Sequence, residues 1–119
     1  MTDIELVEMA AKAAGIKYDQ ESAKPHPKSD MWFGLWLLFD REPSEYDRRY
    51  WNPLADDGDA LRLAVKLGIP LEFCHASGIV TATDPWSALA FDEPPAGDSY
   101  ASARLAIVRA AAQIAREAS

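Results

Sequence analysis

The chain has 119 residues, of which 49% are hydrophobic and 26% are charged, and its formal net charge is −7. This length fits one domain with its own core, and the hydrophobic fraction and four tryptophans exclude a disordered chain. The excess of acidic residues disfavours direct binding to nucleic acid, because such binding depends on Lys and Arg neutralising phosphates.

Cysteine content and apolar runs limit the cellular setting. Cys74 is the only cysteine, so an internal disulfide and a thiolate-rich zinc site are excluded. The first residues, "MTDIELVEMAAKAAG", carry acids where an export signal carries bases. The longest apolar run, "MWFGLWLLF", is far shorter than the roughly 20 residues that span a bilayer. We therefore expect a cytoplasmic protein without a membrane span.

The first predicted element is a helix over residues 3–14. Thr2 and Glu5 form a capping box at its start, and Gly15 followed by Ile16 is typical of a Schellman-type end. A short strand over residues 16–18 can follow. The next segment, "DQESAKPHPKSD", contains two prolines and is predicted to be a surface loop.

The run "MWFGLWLLF" is predicted to be a strand. Alternate side chains point to opposite faces of a strand, and both faces of this one are apolar, with Trp32 and Trp36 on the same face. We therefore expect it to be covered on both sides, with these two tryptophans in the core. Residues 40–50 mix charges without either period and are predicted to be a loop.

Three aspartates, Asp56, Asp57 and Asp59, precede a predicted helix over residues 58–67 that ends at Gly68. Asp56 or Asp57 can act as its N-cap, where a carboxylate accepts hydrogen bonds from free backbone N–H groups. A calcium loop of the EF-hand type requires a glutamate at its twelfth position, and counting from Asp57 that position is Gly68. The spacing therefore favours capping over metal binding.

The remaining elements are a hairpin and a last helix. "LEFCH" and "IVTAT" flank "ASG", which predicts two antiparallel strands, and a proline-rich connection leads to a helix capped by Asp98 or Ser99. We expect a buried stripe on this helix and a polar face opposite. The stripe comprises Ala103, Ala106, Ile107, Ala110, Ala111 and Ile114, and the polar face comprises Ser102, Arg109, Gln113 and Arg116.

Arg104 falls at the edge of that stripe, so we expect its guanidinium to be partly buried and to need a carboxylate. Our hypothesis is that it pairs with the aspartates at the start of the second helix. Cys74 and His75 are neighbours in a predicted strand and point to opposite faces, which disfavours a Cys–His nucleophile. Cys74 is instead interpreted as a small buried hydrophobe and His75 as a strand residue near the turn.

Two further tryptophans, Trp51 and Trp86, lie in predicted loops beside prolines. Large aromatic side chains supply much of the buried area of a small domain, so core packing is the default for both, and the alternative is that either stays partly exposed and meets a partner. They complete a set of candidate interaction or structural residues. The set is Trp51, Asn52, Asp56, Asp57, Asp59, Trp86 and Arg104.

Three separated blocks, "MTDIELVEMAAKAAGI", "WNPLADDGDALRLAVKLGI" and "RLAIVRAAAQIAREAS", resemble small phage and prophage proteins of the ABA-sandwich domain family. The resemblance covers about half of the chain, and its middle block is the distinctive one. It implies a three-layer arrangement with helices on both sides of a sheet. It implies a phage or prophage setting but no particular reaction.

The sequence therefore predicts an α+β fold, a three-layer α-β-α sandwich with three helices and a mostly antiparallel sheet of three to four strands. No complete set of catalytic residues is present, so we expect a non-enzymatic accessory protein that binds another protein, without cofactor or metal. It would be a monomer or a weak homodimer joined through residues 79–91, and its acidity would suit mimicry of nucleic acid. The alternative is a small metal-dependent hydrolase that uses Asp56, Asp57 and Asp59, with Glu72 or His75 brought near by folding.

Overall fold

The computed structural model describes residues 2–24, 32–39, 42, 49–94 and 98–118. It contains three α-helices, one short 3₁₀ helix at Gln20–Ala23 and five strands. The helices are α1 at Asp3–Ala14, α2 at Asp57–Leu67 and α3 at Ser99–Glu117. The strands are β1 at Leu35–Trp36, β2 at Tyr50–Trp51, β3 at Leu71–Phe73, β4 at Val80–Thr83 and β5 at Ala90–Glu93.

Helix α1 begins and ends where its sequence predicts. The Thr2 hydroxyl accepts a hydrogen bond from the Glu5 N–H at 3.2 Å. Gly15 adopts a left-handed conformation with a φ of 69°, and the Ile16 N–H then donates to the Ala11 carbonyl at 2.9 Å. The predicted cap and Schellman-type end of α1 are therefore confirmed.

The other two helices also follow their predicted signals. Helix α2 starts one residue earlier than expected, and Gly68 ends it with a φ of 66°. Asp98 is the N-cap of α3, with its carboxylate accepting from the Tyr100 N–H at 2.9 Å. The helix ends are thus decided locally, because each depends on groups within a few residues in sequence.

The strands form two antiparallel sheets, one of β1 and β2 and one with the order β3-β4-β5. The α+β class and the β3–β4 hairpin are confirmed. A three-layer α-β-α sandwich is compatible with three helices beside two sheets. The structure differs in dividing the strands between two sheets and in placing β5 within the segment predicted to be a plain connection. β5 was missed because its "AFDE" lacks the β-branched residues that identify β4.

Helix α3 lies at the centre of the molecule, in contact with α1 and α2 as well as with β4 and β5. It is therefore buried over more of its circumference than the predicted stripe, and Ser102, assigned to the polar face, is buried. The Ser102 hydroxyl donates to the Pro94 carbonyl at 3.0 Å, which satisfies it there. The buried residues of α3 also include Val108, Ala112 and Ala115.

One face of the three-stranded sheet packs against α3. Val80 and Ala82 of β4 are buried on this face, and Glu93 of β5 forms an ion pair with Arg109 of α3. The register places Leu71 opposite Ala82 and Phe73 opposite Val80, so these two side chains lie on the same face. The outer face carries Glu72, Thr81, Thr83, Ala90 and Asp92, and it is polar.

The prediction of a long, doubly covered strand over "MWFGLWLLF" was wrong. Only β1 is regular, Leu35 is fully buried, and Phe33 and Leu38 are 63% and 53% exposed. Gly34 has a φ of 134°, a conformation that interrupts the alternation of the strand. Tyr18 bridges Leu37, so the expected strand at residues 16–18 is reduced to one bridging residue.

Several predicted loops can be compared only in part. In the loop predicted over residues 40–50, Tyr50 belongs to β2, and residues 40–41 and 43–48 lie outside the described residues. In the proline-containing loop before it, residues 25–30, which include His26, also lie outside them. Trp32 packs against the core, as expected, whereas Trp36 is only partly buried and contacts Tyr50 and Arg49, so the core prediction for Trp36 was wrong. Among the described residues, no helix combines the length and the apolar character needed to cross a membrane.

Substitution of Gly34 should be costly because β1 passes close to β2 at this residue. A Cβ atom on Gly34 would lie 2.7 Å from the Trp51 carbonyl oxygen, and the φ is unfavourable for any other residue. We expect Gly15→Ala, where nothing lies within 4 Å of the new Cβ, to lower the free energy of unfolding by about 1–2 kcal/mol. Gly34→Ala should lower it by more, as measured by urea unfolding followed by tryptophan fluorescence. Equal losses would show that the close approach to β2 is unimportant.

Candidate functional site

Each of the three clustered aspartates has a structural role, beginning with Asp56. It is the N-cap of α2, and its Oδ2 accepts a hydrogen bond from the Asp59 N–H at 2.8 Å. The prediction that this cluster starts a helix is therefore confirmed. A carboxylate in this position also interacts favourably with the positive end of the helix dipole.

Asp59 is the buried member of the cluster, with 3% of its surface exposed. Its Oδ2 accepts from the Asn52 N–H at 3.0 Å, and its Oδ1 accepts from Arg62 Nη2 at 2.8 Å. Asn52, another candidate residue, folds the chain before α2, because its Oδ1 accepts from the Leu54 N–H at 3.1 Å. Asp59 and Asn52 thus hold residues 52–59 in one conformation.

Asp57 binds across the molecule to α3. Arg104 Nη1 donates to Asp57 Oδ1 at 2.6 Å, and Arg104 Nε donates to the Leu54 carbonyl at 2.8 Å. The Arg104 side chain is 16% exposed, while that of Asp57 is 63% exposed. The hypothesis that Arg104 pairs with this cluster is confirmed, and the sequence did not predict its second bond, to the Leu54 carbonyl.

These contacts determine what the three carboxylates can do chemically. Asp56 accepts from a backbone N–H of α2 and lies 3.9 Å from Arg62, which also contacts Asp59, while Asp57 contacts Arg104. Within residues 2–24, 32–39, 42, 49–94 and 98–118, no three His, Cys, Asp or Glu side chains are grouped so that they could hold a metal ion. The arrangement stabilises the start of α2 and its attachment to α3.

The two candidate tryptophans have opposite environments. Trp51 lies in β2 and is only 6% exposed, so its placement in a loop was wrong, and of its two interpretations the structure supports core packing. It pairs with Leu35 across the two-stranded sheet, and β2 was not predicted. Trp86 is 80% exposed, in the turn between β4 and β5, so of its two interpretations the structure supports the exposed loop residue.

Asp84 controls the turn that carries Trp86, and sequence reasoning missed it. Its side chain is fully buried; Oδ1 accepts from the Trp86 N–H at 2.9 Å and Oδ2 from the Ser87 hydroxyl at 2.8 Å. Burial acts to raise the pKa of Asp84, but the hydrogen bonds from Trp86 and Ser87 outweigh it and leave the pKa below its ordinary value. The "DPWS" pattern of an Asx turn was the signal available in the sequence.

Cys74 and His75 lie in the turn between β3 and β4, just beyond the end of β3. Both are exposed, so the predictions of Cys74 as a buried hydrophobe and of His75 as a strand residue were wrong. Hydrogen bonds with Ser77 lower the pKa of the Cys74 thiol. The structure shows no hydrogen bond between Cys74 and His75, and their arrangement does not form a nucleophile and base.

A surface groove between α2, β3 and α3 was not anticipated from the sequence. Its volume is about 280 Å³, and its lining is almost entirely apolar, with the Asp57–Arg104 ion pair also present in its wall. Several large side chains in it are exposed to solvent, including Leu61, Phe73 and Tyr100. A signal was present in the sequence, since Leu61 and Val65 lie one turn apart on the face of α2 away from its buried residues.

Comparison of the chain with protein-family models, with curated proteins and with solved structures found no match. Function is therefore inferred from the geometry of the side chains described above.

The two bonds of Arg104 should contribute unequally to stability. We expect Asp57→Ala to lower the free energy of unfolding by less than about 1 kcal/mol, because the Asp57 carboxylate is mostly exposed. Arg104→Ala should lower it by about 2–3 kcal/mol, because the partly buried Leu54 carbonyl loses a charged donor. A double-mutant cycle measured by urea unfolding checks this. A loss for Asp57→Ala as large as that for Arg104→Ala would assign the stabilisation to the ion pair.

The lowered pKa of Asp84 predicts a pH dependence with a definite sign. Because the pKa is lower in the folded state, the ionised carboxylate stabilises the fold above about pH 4, and this contribution is lost as the pH falls through the lowered value. We expect Asp84→Asn to reduce the free energy of unfolding at pH 7 by about 1–3 kcal/mol. The difference from wild type should shrink below about pH 4, which unfolding curves at several pH values would measure. A difference that is independent of pH would contradict this role.

Proposed function

We propose that this chain is a non-enzymatic accessory protein that acts by binding another protein, with Trp86 as an anchor of the contact. The observation that carries this proposal is the 80% exposure of Trp86 on a turn whose conformation is fixed from within the fold. Tryptophan is enriched among the residues that dominate the binding energy of protein interfaces.

The turn around Trp86 is held by several hydrogen bonds. Besides the two bonds to its carboxylate, the Asp84 carbonyl accepts from the Ala88 N–H at 2.9 Å, and the Asp84 N–H donates to the Leu89 carbonyl at 2.9 Å. Ala88 has a φ of 62°, which is uncommon for a residue with a side chain. A fixed turn reduces the entropy lost when its side chains bind, so Trp86 is presented in advance to a partner.

The positions of the aspartates support a binding role over hydrolysis. A hydrolase that used Asp56, Asp57 and Asp59 would need their oxygens to converge on one ion or one substrate atom. Here Asp56 caps α2 and Asp57 accepts a hydrogen bond from Arg104. Asp59 accepts hydrogen bonds from Arg62 and from the Asn52 N–H. Recruiting them for catalysis would remove contacts that position α2.

Two further features support a particular kind of partner. The net charge of −7 favours a partner with a basic surface, because complementary charge accelerates encounter and disfavours like-charged surfaces. The resemblance of three blocks of the chain to ABA-sandwich proteins supports a phage or prophage setting. In that setting, the partner is a protein of the host or of the phage.

The test compares two exposed aromatic residues at separate places. Wild type, Trp86→Ala and Phe33→Ala are immobilised and exposed to host lysate at low salt, and retained proteins are quantified by mass spectrometry. Phe33 is 63% exposed and lies before β1, so its variant is a matched control for loss of an exposed ring. We expect one partner to be retained by wild type and Phe33→Ala, and at least about tenfold less by Trp86→Ala, since one interface anchor contributes about 2 kcal/mol or more.

The result that would contradict the proposal is equally specific. If no protein is retained by wild type, or if both variants retain the same protein as strongly as wild type does, Trp86 is not an interaction anchor. Thermal unfolding of both variants controls for loss of the fold.

A further inference from the structure

We propose that the outer edge of β3 binds an extended segment of the partner protein in which a Lys or Arg stands between two apolar residues. This inference rests on the proposed function of protein binding, and it adds a second contact and the chemistry of the segment. The segment would add a strand to the sheet next to β3, with its apolar side chains in the groove between α2 and α3. Edge-strand addition is a common mode of peptide recognition.

The hydrogen-bonding groups of β3 show which way its backbone points. The Thr83 N–H donates to the Pro70 carbonyl at 3.1 Å, and the Cys74 N–H donates to the Ile79 carbonyl at 2.9 Å. Because hydrogen-bonded and non-hydrogen-bonded pairs alternate in an antiparallel ladder, Glu72 is the residue of β3 that bonds β4. The N–H and C=O groups of Leu71 and Phe73 therefore point away from β4.

Those outward groups lie at an open edge, since β3 is the terminal strand of the order β3-β4-β5. Leu71 and Phe73 have no backbone hydrogen bond on that side within the part of the chain that the structure describes. They offer two donors and two acceptors, which is enough for two hydrogen-bonded residue pairs with an added strand.

The groove determines the apolar residues of the segment. Residues paired with Leu71 and Phe73 would place their side chains on the same face as these two, toward α2 and α3. That face of the edge adjoins the apolar groove, where Phe73 is 66% exposed and Leu61 and Tyr100 are also exposed. Two apolar side chains of the added strand would cover these groups and remove them from water.

Charge on the outer face determines the residue between the two apolar ones. That residue would lie opposite Glu72 on the outer face of the sheet. The same row across the strands contains Thr81 and Asp92, with the Thr81 hydroxyl donating to Asp92 Oδ1 at 2.6 Å. The row thus carries two carboxylates and no basic side chain, so a Lys or Arg is the complementary residue.

The same geometry disfavours a second copy of this chain as the occupant. In the symmetric antiparallel register that pairs all three residues of β3 with a second copy, Leu71 would lie opposite Phe73 of the other copy and the two Glu72 carboxylates would lie directly opposite each other. Like charges in a directly opposite pair are destabilising. A basic segment of another protein removes this repulsion and replaces it with attraction.

The test uses three capped eight-residue peptides and the full chain. One alternates valine with lysine, the second alternates valine with glutamate, and the third is the valine–lysine peptide with its valine nitrogens methylated. We expect the first to bind, as measured by calorimetry, and to slow hydrogen exchange at the Leu71 and Phe73 amides. The second should bind at least about fivefold more weakly, because it places like charges opposite Glu72. The third keeps the charge of the first, but it should not bind, because its methylated nitrogens cannot donate hydrogen bonds to β3.

Two pairs of protein variants locate the contact. Glu72→Lys should reverse the preference between the lysine and glutamate peptides, whereas Glu21→Lys, with the same change in net charge at an exposed site of another surface, should leave the preference unchanged. Phe73→Pro removes an outward N–H that β4 does not use, and proline is tolerated at such an edge position. It should abolish binding, while Phe73→Ala keeps the N–H and should only weaken binding.

The inference is overturned if the methylated peptide binds as well as its parent, or if Glu72→Lys and Glu21→Lys behave alike. It is also overturned if sedimentation shows self-association that Phe73→Pro removes, because the edge would then be occupied by a second copy. Each of these failures leaves retention of a partner through Trp86 unaffected, since Trp86 lies in the β4–β5 turn and not in β3. Loss of the Trp86 effect with normal peptide binding would instead contradict the proposed anchor.

Discussion

The arrangement of α2 and α3 depends on the two hydrogen bonds that Arg104 donates. One guanidinium bonds both the Leu54 carbonyl, just before α2, and the Asp57 carboxylate in its first turn. It therefore fixes the N-terminal end of α2 against the central helix. Asp57 and Arg104 also line the groove between α2, β3 and α3, so the two bonds of Arg104 contribute to the shape of a proposed binding surface.

The composition of α3 explains why large apolar side chains remain at the surface. Its buried residues are mostly alanine, and small side chains allow α1, α2 and the sheet to approach the helix closely. A core built on small residues leaves less room for large ones. Leu61, Phe73 and Tyr100 are exposed together in the groove beside α3, and a contiguous exposed apolar patch is typical of an interaction site.

The two proposed contacts use different physical means. Trp86 is an aromatic side chain held by a buried carboxylate, whereas the edge of β3 offers backbone hydrogen bonds, an apolar groove and a carboxylate. The first provides an anchor that depends on burial of one ring, and the second recognises the pattern of a segment. Together, the two proposed contacts would give a small domain both affinity and selectivity for one partner.

The sequence by itself determined, to within one residue, where all three helices start, because Thr2, Asp56 and Asp98 act on backbone groups only two or three residues away. It also indicated the β3–β4 hairpin. It indicated the partner of Arg104 too, because a partly buried guanidinium requires a carboxylate. Only the tertiary structure decided the burial of Trp51 and the short length of β1. Whether a strand residue is covered depends on which distant segment pairs with it, and neither composition nor periodicity specifies that pairing. The groove beside Phe73 was undecided for the same reason, because it lies between three elements that become neighbours only when the chain folds.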